Sequence, residues 1–257
     1  MVFSRPLAPP PMLRRMDRLE FRLLGSIDAC VGGRRLDIGP RKRRYVLAAL
    51  LLDLNRPVPV ERLIDAVWEG DPPDSARMTV QGHVYRLRRA LVGARVETDS
   101  SGYLLLADPE SVDALRFRRM VAEAARRDDR SGADLLDEAL ALWRGPALGE
   151  SGGGRSLEVA AVELEEARLA AVEELARRRL RLREPERLVA PLRATVTANP
   201  HQERLVSLLM TTFYQVGRQA EALELYERTR RLLADQLGVD PGKELRSTFE
   251  SLLAAQA

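Results

Sequence analysis

The segment Ala76 to Leu91 restricts the fold more than any other stretch of the chain. At about 100° per residue, Val80, Val84, Leu87 and Leu91 share one narrow face. Met78, Gly82, Tyr85, Arg86 and Arg89 fall on the opposite side, with Thr79 and His83 on one edge and Gln81 and Arg88 on the other. A helix with a single apolar stripe buries that stripe and turns its other side to solvent or to a partner. Asp71-Pro72-Pro73-Asp74 separates it from what precedes, and Asp74 or Ser75 can cap its start. Seen alone, Arg86, Arg88 and Arg89 read as a solvated face, the ordinary meaning of a charge run. The neighbouring elements change that reading.

Upstream, Leu19 to Leu24 and Ile27 to Val31 read as short strands, and Gly32-Gly33 suits a hairpin turn before Arg35 to Ile38. Gly39-Pro40 then opens a helix over about Arg41 to Leu54, since proline fits the first helical turn. A second helix begins near Val60, with Leu63, Ile64 and Val67-Trp68 at helical spacing. After the Ala76–Leu91 helix, Val96 to Asp99 and Tyr103 to Leu106 flank Ser100-Ser101-Gly102 as a hairpin. Strands, three helices and a closing hairpin are the order of a winged helix-turn-helix. In that setting the third helix is a major-groove reader. Arginine bonds guanine edges or phosphates, and glutamine pairs with adenine.

From about Ser111 the pattern is helical almost throughout, over Val112–Arg127, Gly132–Trp143, Leu157–Arg183, Pro185–Ala198, Gln202–Val216, Arg218–Gln236 and Lys243–Ala254. Leu209, Phe213-Tyr214, Gly217, Ala222-Leu223, Tyr226 and Pro241 fall close to the tetratricopeptide order, with Tyr226 expected as core beside the small Ala222. The fold expected is therefore mainly α with small β-sheets: a flexible leader over 1–17, a winged helix-turn-helix domain over 18–109, and an all-α TPR-like domain over 110–257. Met12 or Met16 can equally serve as the start.

Charge divides along the same line. Residues 1–109 carry 18 Lys+Arg against 13 Asp+Glu, and the remainder 23 against 25, which suits a nucleic-acid reader joined to a near-neutral accessory domain. The lone Cys30 excludes an internal disulfide framework and suits a reducing cytoplasm. With only His83 and His201, a zinc hydrolase or other metal site is poorly supplied, and no metal or cofactor is expected. The longest apolar run, Tyr45 to Leu52, is too short to cross a membrane. Arg5, Arg14 and Arg15 are not followed by the apolar segment of an export signal, so a cytoplasmic protein is expected.

Catalytic motifs fail on context. Gly149-Glu150-Ser151-Gly152-Gly153 has nucleophile-elbow spacing, but a helix and Gly145-Pro146 precede it where a strand is needed, so a linker is expected. Gly152-Gly153-Gly154-Arg155-Ser156 lacks the ending of a phosphate-binding loop. Glu165-Glu166 and Glu173-Glu174 read as the solvated surface of a long helix. No catalytic residue is assigned, and the chain is not expected to be an enzyme.

Leu19 to Asp108 resembles an OmpR-type winged helix, most tellingly in VQGHVYRLRRAL (Val80 to Leu91) and Gly102-Tyr103. More narrowly, Leu19 to Leu253 resembles the Streptomyces antibiotic regulatory protein family. The shared features are Gly39-Pro40-Arg41-Lys42-Arg43-Arg44, Ala66-Val67-Trp68 with Asp71-Pro72-Pro73, and Ala141-Leu142-Trp143-Arg144-Gly145-Pro146. The resemblance implies a bacterial transcriptional activation domain after the winged helix. It also implies a pathway-specific activator of antibiotic or secondary-metabolite genes, binding direct repeats in double-stranded promoter DNA as a homodimer or side-by-side pair and contacting RNA polymerase holoenzyme. Arg86 and Arg89 are the first candidates for DNA contact, followed by Gln81, His83, Tyr85 and Arg88, with Thr79 at the edge. Arg43 and Arg44 are candidates for phosphate but can equally lie on the opposite surface. Two features depart from the family: Asp99-Ser100-Ser101 stands at the wing tip where arginine or proline is usual, and Met78 stands where a polar residue is usual. A protein-interaction scaffold and a metabolite-gated regulator remain the alternative readings.

Overall fold

A computed structural model describes residues 19–91, 93–149 and 153–255, which fall into two compact units. The expected leader and most of the elbow-like glycine motif lie outside the described residues. The first unit comprises the chain up to Arg116 together with Leu142–Glu165; the second comprises Phe117–Ala141 and Glu166 onward. Helices α4 (Asp113–Ala124) and α6 (Arg155–Arg181) contribute residues to both.

The first unit opens with an antiparallel sheet of β1 (Leu19–Arg22), β2 (Asp28–Val31) and β3 (Arg34–Arg35), in that order. The Gly32-Gly33 turn has positive φ at both positions, 55° and 80°, as a tight hairpin of the favoured hand requires. Leu19, Phe21 and Ala29 are buried, as is the free thiol of Cys30. Then follow α1 (Arg41–Leu52), β4 (Val58–Pro59), α2 (Val60–Val67), α3 (Ala76–Ala90), β5 (Arg95–Asp99) and β6 (Gly102–Leu106). This is a winged helix-turn-helix. The wing has a third strand beyond the expected hairpin, since β4 pairs with β6 in the order β4-β6-β5. A two-residue strand ending in proline has no periodicity to reveal it, and an edge position is where a sheet tolerates proline. Pro59 pairs opposite Gly102, and any Cβ on Gly102 would strike the Val58 carbonyl oxygen. Glycine is therefore required at this crossing.

Asn55 closes the first helix. At φ 62° it leaves the helical path, and its side chain bonds Ala107 twice, through Nδ2 to the carbonyl and from the amide to Oδ1, each at 3.1 Å. Ser75 holds the cap position of α3, but neither it nor Asp74 makes the expected side-chain cap. Backbone bonds from Ala76 to the Pro73 carbonyl and from Thr79 to the Ser75 carbonyl start the helix instead.

The segment after α5 (Asp129–Leu140) is fastened to the strand platform of the first unit. Arg144 and Leu148 donate their amides to the carbonyls of Leu24 (2.9 Å) and Leu23 (2.8 Å). The buried Asp113 carboxylate accepts the Leu23 amide at 2.7 Å, the Leu24 amide at 3.2 Å and the Arg144 guanidinium at 2.5 Å. Gly154 donates to the Ala66 carbonyl, so close to α2 that a Cβ would meet the Asp65 oxygen.

The second unit is all α among the described residues: α4 from Phe117, α5, α6 from Glu166, a single 3₁₀ turn (Pro185–Arg187), α7 (Val189–Ala198), α8 (Glu203–Gln215), α9 (Gln219–Leu237) and α10 (Lys243–Ala254). All seven helices read from the sequence of this half are present, although α7 begins only after the 3₁₀ turn. Leu192, Val196, Leu205, Leu209, Phe213 and Leu245 lie in its core. Tyr226 is buried as expected and stacks on Phe249, with ring centroids 4.0 Å apart.

The long helix is less solvated than its charge suggests. Arg179 is 1% exposed and binds Asp134, Asp137 and Glu184, each at 2.6 Å. Burial opposes its charge, but these three carboxylates outweigh that and hold the guanidinium protonated. Glu173 and Glu174 pair with Arg177 and Arg178 one turn on, and Glu165 accepts the Ala147 amide at 2.8 Å. These three acids, expected as plain solvated surface, therefore have fixed partners. Only Glu166 of the two pairs is simply exposed. No described helix is long and apolar enough to cross a membrane.

Candidate DNA-binding face

Val80, Val84, Leu87 and Leu91 are all buried, so the apolar stripe fixes α3 as its pattern requires. The opposite face is open. Met78 is 73% and Tyr85 59% exposed, and Gln81, Gly82, Arg86 and Arg89 are exposed as well. No carboxylate occurs anywhere in α3, while Arg77, Arg86, Arg88 and Arg89 all lie within it. Arg86 makes no hydrogen bond or ion pair among the described residues, and Arg89 lies over the Tyr85 ring at 6.0 Å. A cation standing free beside exposed polar and aromatic side chains is available to a phosphate or a guanine edge. Arg77, further toward the start, is paired with Glu61 of α2.

Other candidates are engaged within the protein. Arg88 donates through Nε to the Val96 carbonyl and through Nη2 to Thr98 Oγ1, both at 2.7 Å, and its guanidinium lies over Tyr103. It fastens α3 to the wing. Thr79 is half-buried, with its hydroxyl donating to the Ser75 carbonyl at 3.0 Å. Arg43 and Arg44 bond the carbonyls of Ile38 (3.0 Å) and Gly39 (3.1 Å), bracing the entry to α1.

His83 is half-buried, and its Nε2 is unpartnered. Burial first, then the positive charges of Arg43, Arg86 and Lys42, hold its imidazole below histidine's ordinary value, so it is neutral at neutral pH. The cations that act on His83 come from both the start of α1 and α3. Lys42 is placed there by its ammonium over the Trp68 ring at 4.6 Å. Lys42 was not among the residues singled out from the sequence, where its only signal was membership of the basic run that opens α1.

The wing tip carries no cation. Asp99 Oδ1 accepts from the Ser101 amide (2.9 Å) and hydroxyl (2.7 Å), and those bonds hold its carboxyl below the usual carboxylate range. An ionised aspartate closes the turn where a minor-groove reader would place arginine.

A winged helix with a basic, outward-facing recognition helix, joined to a helical-repeat unit, defines a class: DNA-binding transcriptional regulators of the OmpR type. Comparison with known proteins agrees. Residues 33–105 match the family described as transcriptional regulatory protein, C terminal, and residues 112–253 the bacterial transcriptional activator domain. The transcriptional regulator RedD of Streptomyces coelicolor is 37% identical over 249 residues, covering 92% of this chain and 71% of RedD. The regulatory protein DnrI of Streptomyces peucetius is 32% identical over 252 residues, covering 92% of this chain and 93% of DnrI. A solved structure of Mycobacterium tuberculosis EmbR, in complex with a low-affinity phosphopeptide, superposes with a TM-score of 0.82 at 34% identity, covering 93% of this chain and 66% of that one. The chain belongs to the Streptomyces antibiotic regulatory protein family.

Proposed function

We propose that this protein is a sequence-specific activator of secondary-metabolite genes that reads direct repeats in promoter DNA through α3. The observation that carries the reading is the outward face of α3, which is free of carboxylate and presents an unpaired Arg86 beside Gln81 and Arg89. Arg86 and Arg89 make the principal DNA contacts, with Gln81 and Tyr85 beside them. Lys42 and Arg43 supply positive potential at the flank, beside the neutral His83 of α3, while Arg88 acts indirectly by holding the wing. In functional terms residues 18–109 bind DNA and 110–257 support transcription, two copies standing side by side on a repeat and the helical part contacting RNA polymerase holoenzyme. The protein works in the cytoplasm, on the nucleoid, without catalysis or cofactor. RedD and DnrI, regulators by name, support this division, as does the activator-domain match over 112–253.

The test combines footprinting with transcription in vitro. The protein is expected to protect two adjacent segments of a target promoter in direct orientation and to raise transcript yield from that promoter by purified holoenzyme. Protection accompanied by unchanged or lowered transcript would overturn activation while leaving DNA reading intact.

A further inference from the structure

The outward ridge of α3 runs Met78, Gly82, Tyr85, Arg89, each one turn from the next. Its first member is the most exposed large apolar side chain of α3, 73% exposed in the opening turn of the helix. Nothing lies within 4 Å of where a Cβ on Gly82 would stand, so the surface of the ridge between Met78 and Tyr85 is open. Exposed methionine contributes nothing to the core that Val80, Val84 and Leu87 already fill. The opening turn is the part of a recognition helix that meets base edges. In the major groove one base carries an apolar group, the C5-methyl of thymine.

We infer that Met78 is a specificity-determining residue that packs on a thymine methyl group, so that the operator contains a thymine selected through its methyl and not through its hydrogen bonds. The cations of the same face, Arg86 and Arg89, draw this ridge toward the negatively charged duplex, which makes DNA its occupant in preference to another apolar surface. The flexible, polarisable thioether adapts to the methyl without needing a fixed rotamer. This inference rests on the proposed reading of DNA by α3.

The operator is first selected from a random duplex library with the wild-type protein, and each thymine is then replaced in turn by deoxyuridine, which removes only the methyl. The wild type should lose about fourfold in affinity at one thymine per half-site, the worth of one buried methyl group. Met78→Ala should bind the unmodified operator more weakly and show no further loss at that thymine, with its thermal unfolding unchanged. Met78→Gln should bring adenine forward at the same position on reselection. Equal deoxyuridine penalties in wild type and Met78→Ala, or none in the wild type, overturn the assignment of Met78 while DNA reading stands. Failure of the wild type to enrich any sequence overturns the DNA reading itself, and this inference with it.

Discussion

Arg86→Ala weakens binding to the selected operator by roughly 1–3 kcal/mol, a loss of about fivefold to 150-fold, if its guanidinium reads a base edge. Arg86 has no partner among the described residues, so its removal breaks no internal bond, and the cost falls on the complex with DNA. Direct base readout and phosphate contact are separable in the same titration. A base reader loses affinity for the operator and little for random DNA. A phosphate contact loses both alike and lowers the salt slope by about one. Arg88→Ala is the comparison, because its bonds to Val96 and Thr98 hold the wing and its loss lowers thermal stability as well. Undiminished binding by a folded Arg86→Ala variant would remove this residue from the interface.

The largest loss of stability is expected from Asp113→Ala. The carboxylate is 4% exposed and accepts from two backbone amides and one guanidinium, of which only the guanidinium has a second acceptor, the Leu142 carbonyl, among the hydrogen bonds of the described residues. Leaving a buried donor unpaired costs about 1–3 kcal/mol. Two such amides, with Arg144 partly able to rehydrate, give roughly 2–5 kcal/mol and a fall in Tm of order 10 °C. Asp113→Asn keeps one acceptor oxygen and should lie between alanine and wild type. Thermal unfolding followed by circular dichroism measures both. A fall of less than about 2 °C in the alanine variant would mean that the bonds to Leu23, Leu24 and Arg144 do not hold the platform.

Asp113 also shows where sequence reasoning stops. The seven helices from Asp113 onward were legible because apolar residues recur at helical spacing, a signal confined to neighbours along the chain. The winged helix was legible from the order of its elements and the breaks at Gly39-Pro40, Asp71 to Asp74 and Gly102. What joins Asp113 to Leu23, or Arg144 to Leu24, spans about 90 to 120 residues and leaves no local period. Such bonds group Leu142–Glu165 with the first unit without leaving any local signal.

The recognition helix divides in the same way. Its buried and exposed faces followed from spacing alone, and the exposure of Met78, Gln81, Tyr85, Arg86 and Arg89 agrees with the helical wheel. Arg88 differs because the wing folds back over its edge of the helix, a tertiary event that a wheel does not contain. Arg43 and Arg44 differ because a tight turn at Gly39 exposes carbonyls within reach of their guanidinium groups. Basic residues in the first turn of a helix are disfavoured by its dipole, and bonding to the preceding carbonyls offsets that cost.

The central claim, that α3 reads promoter DNA, is tested most directly by a mobility-shift titration of the purified protein on its own upstream region and on neighbouring promoters. It is run at two salt concentrations against excess random DNA. The account predicts a retarded band that survives the competitor, weakens as salt rises, and is lost in the Arg86→Ala/Arg89→Ala double variant. A folded wild-type protein that shifts no promoter at either salt, or a double variant that binds as well as the wild type, would contradict it.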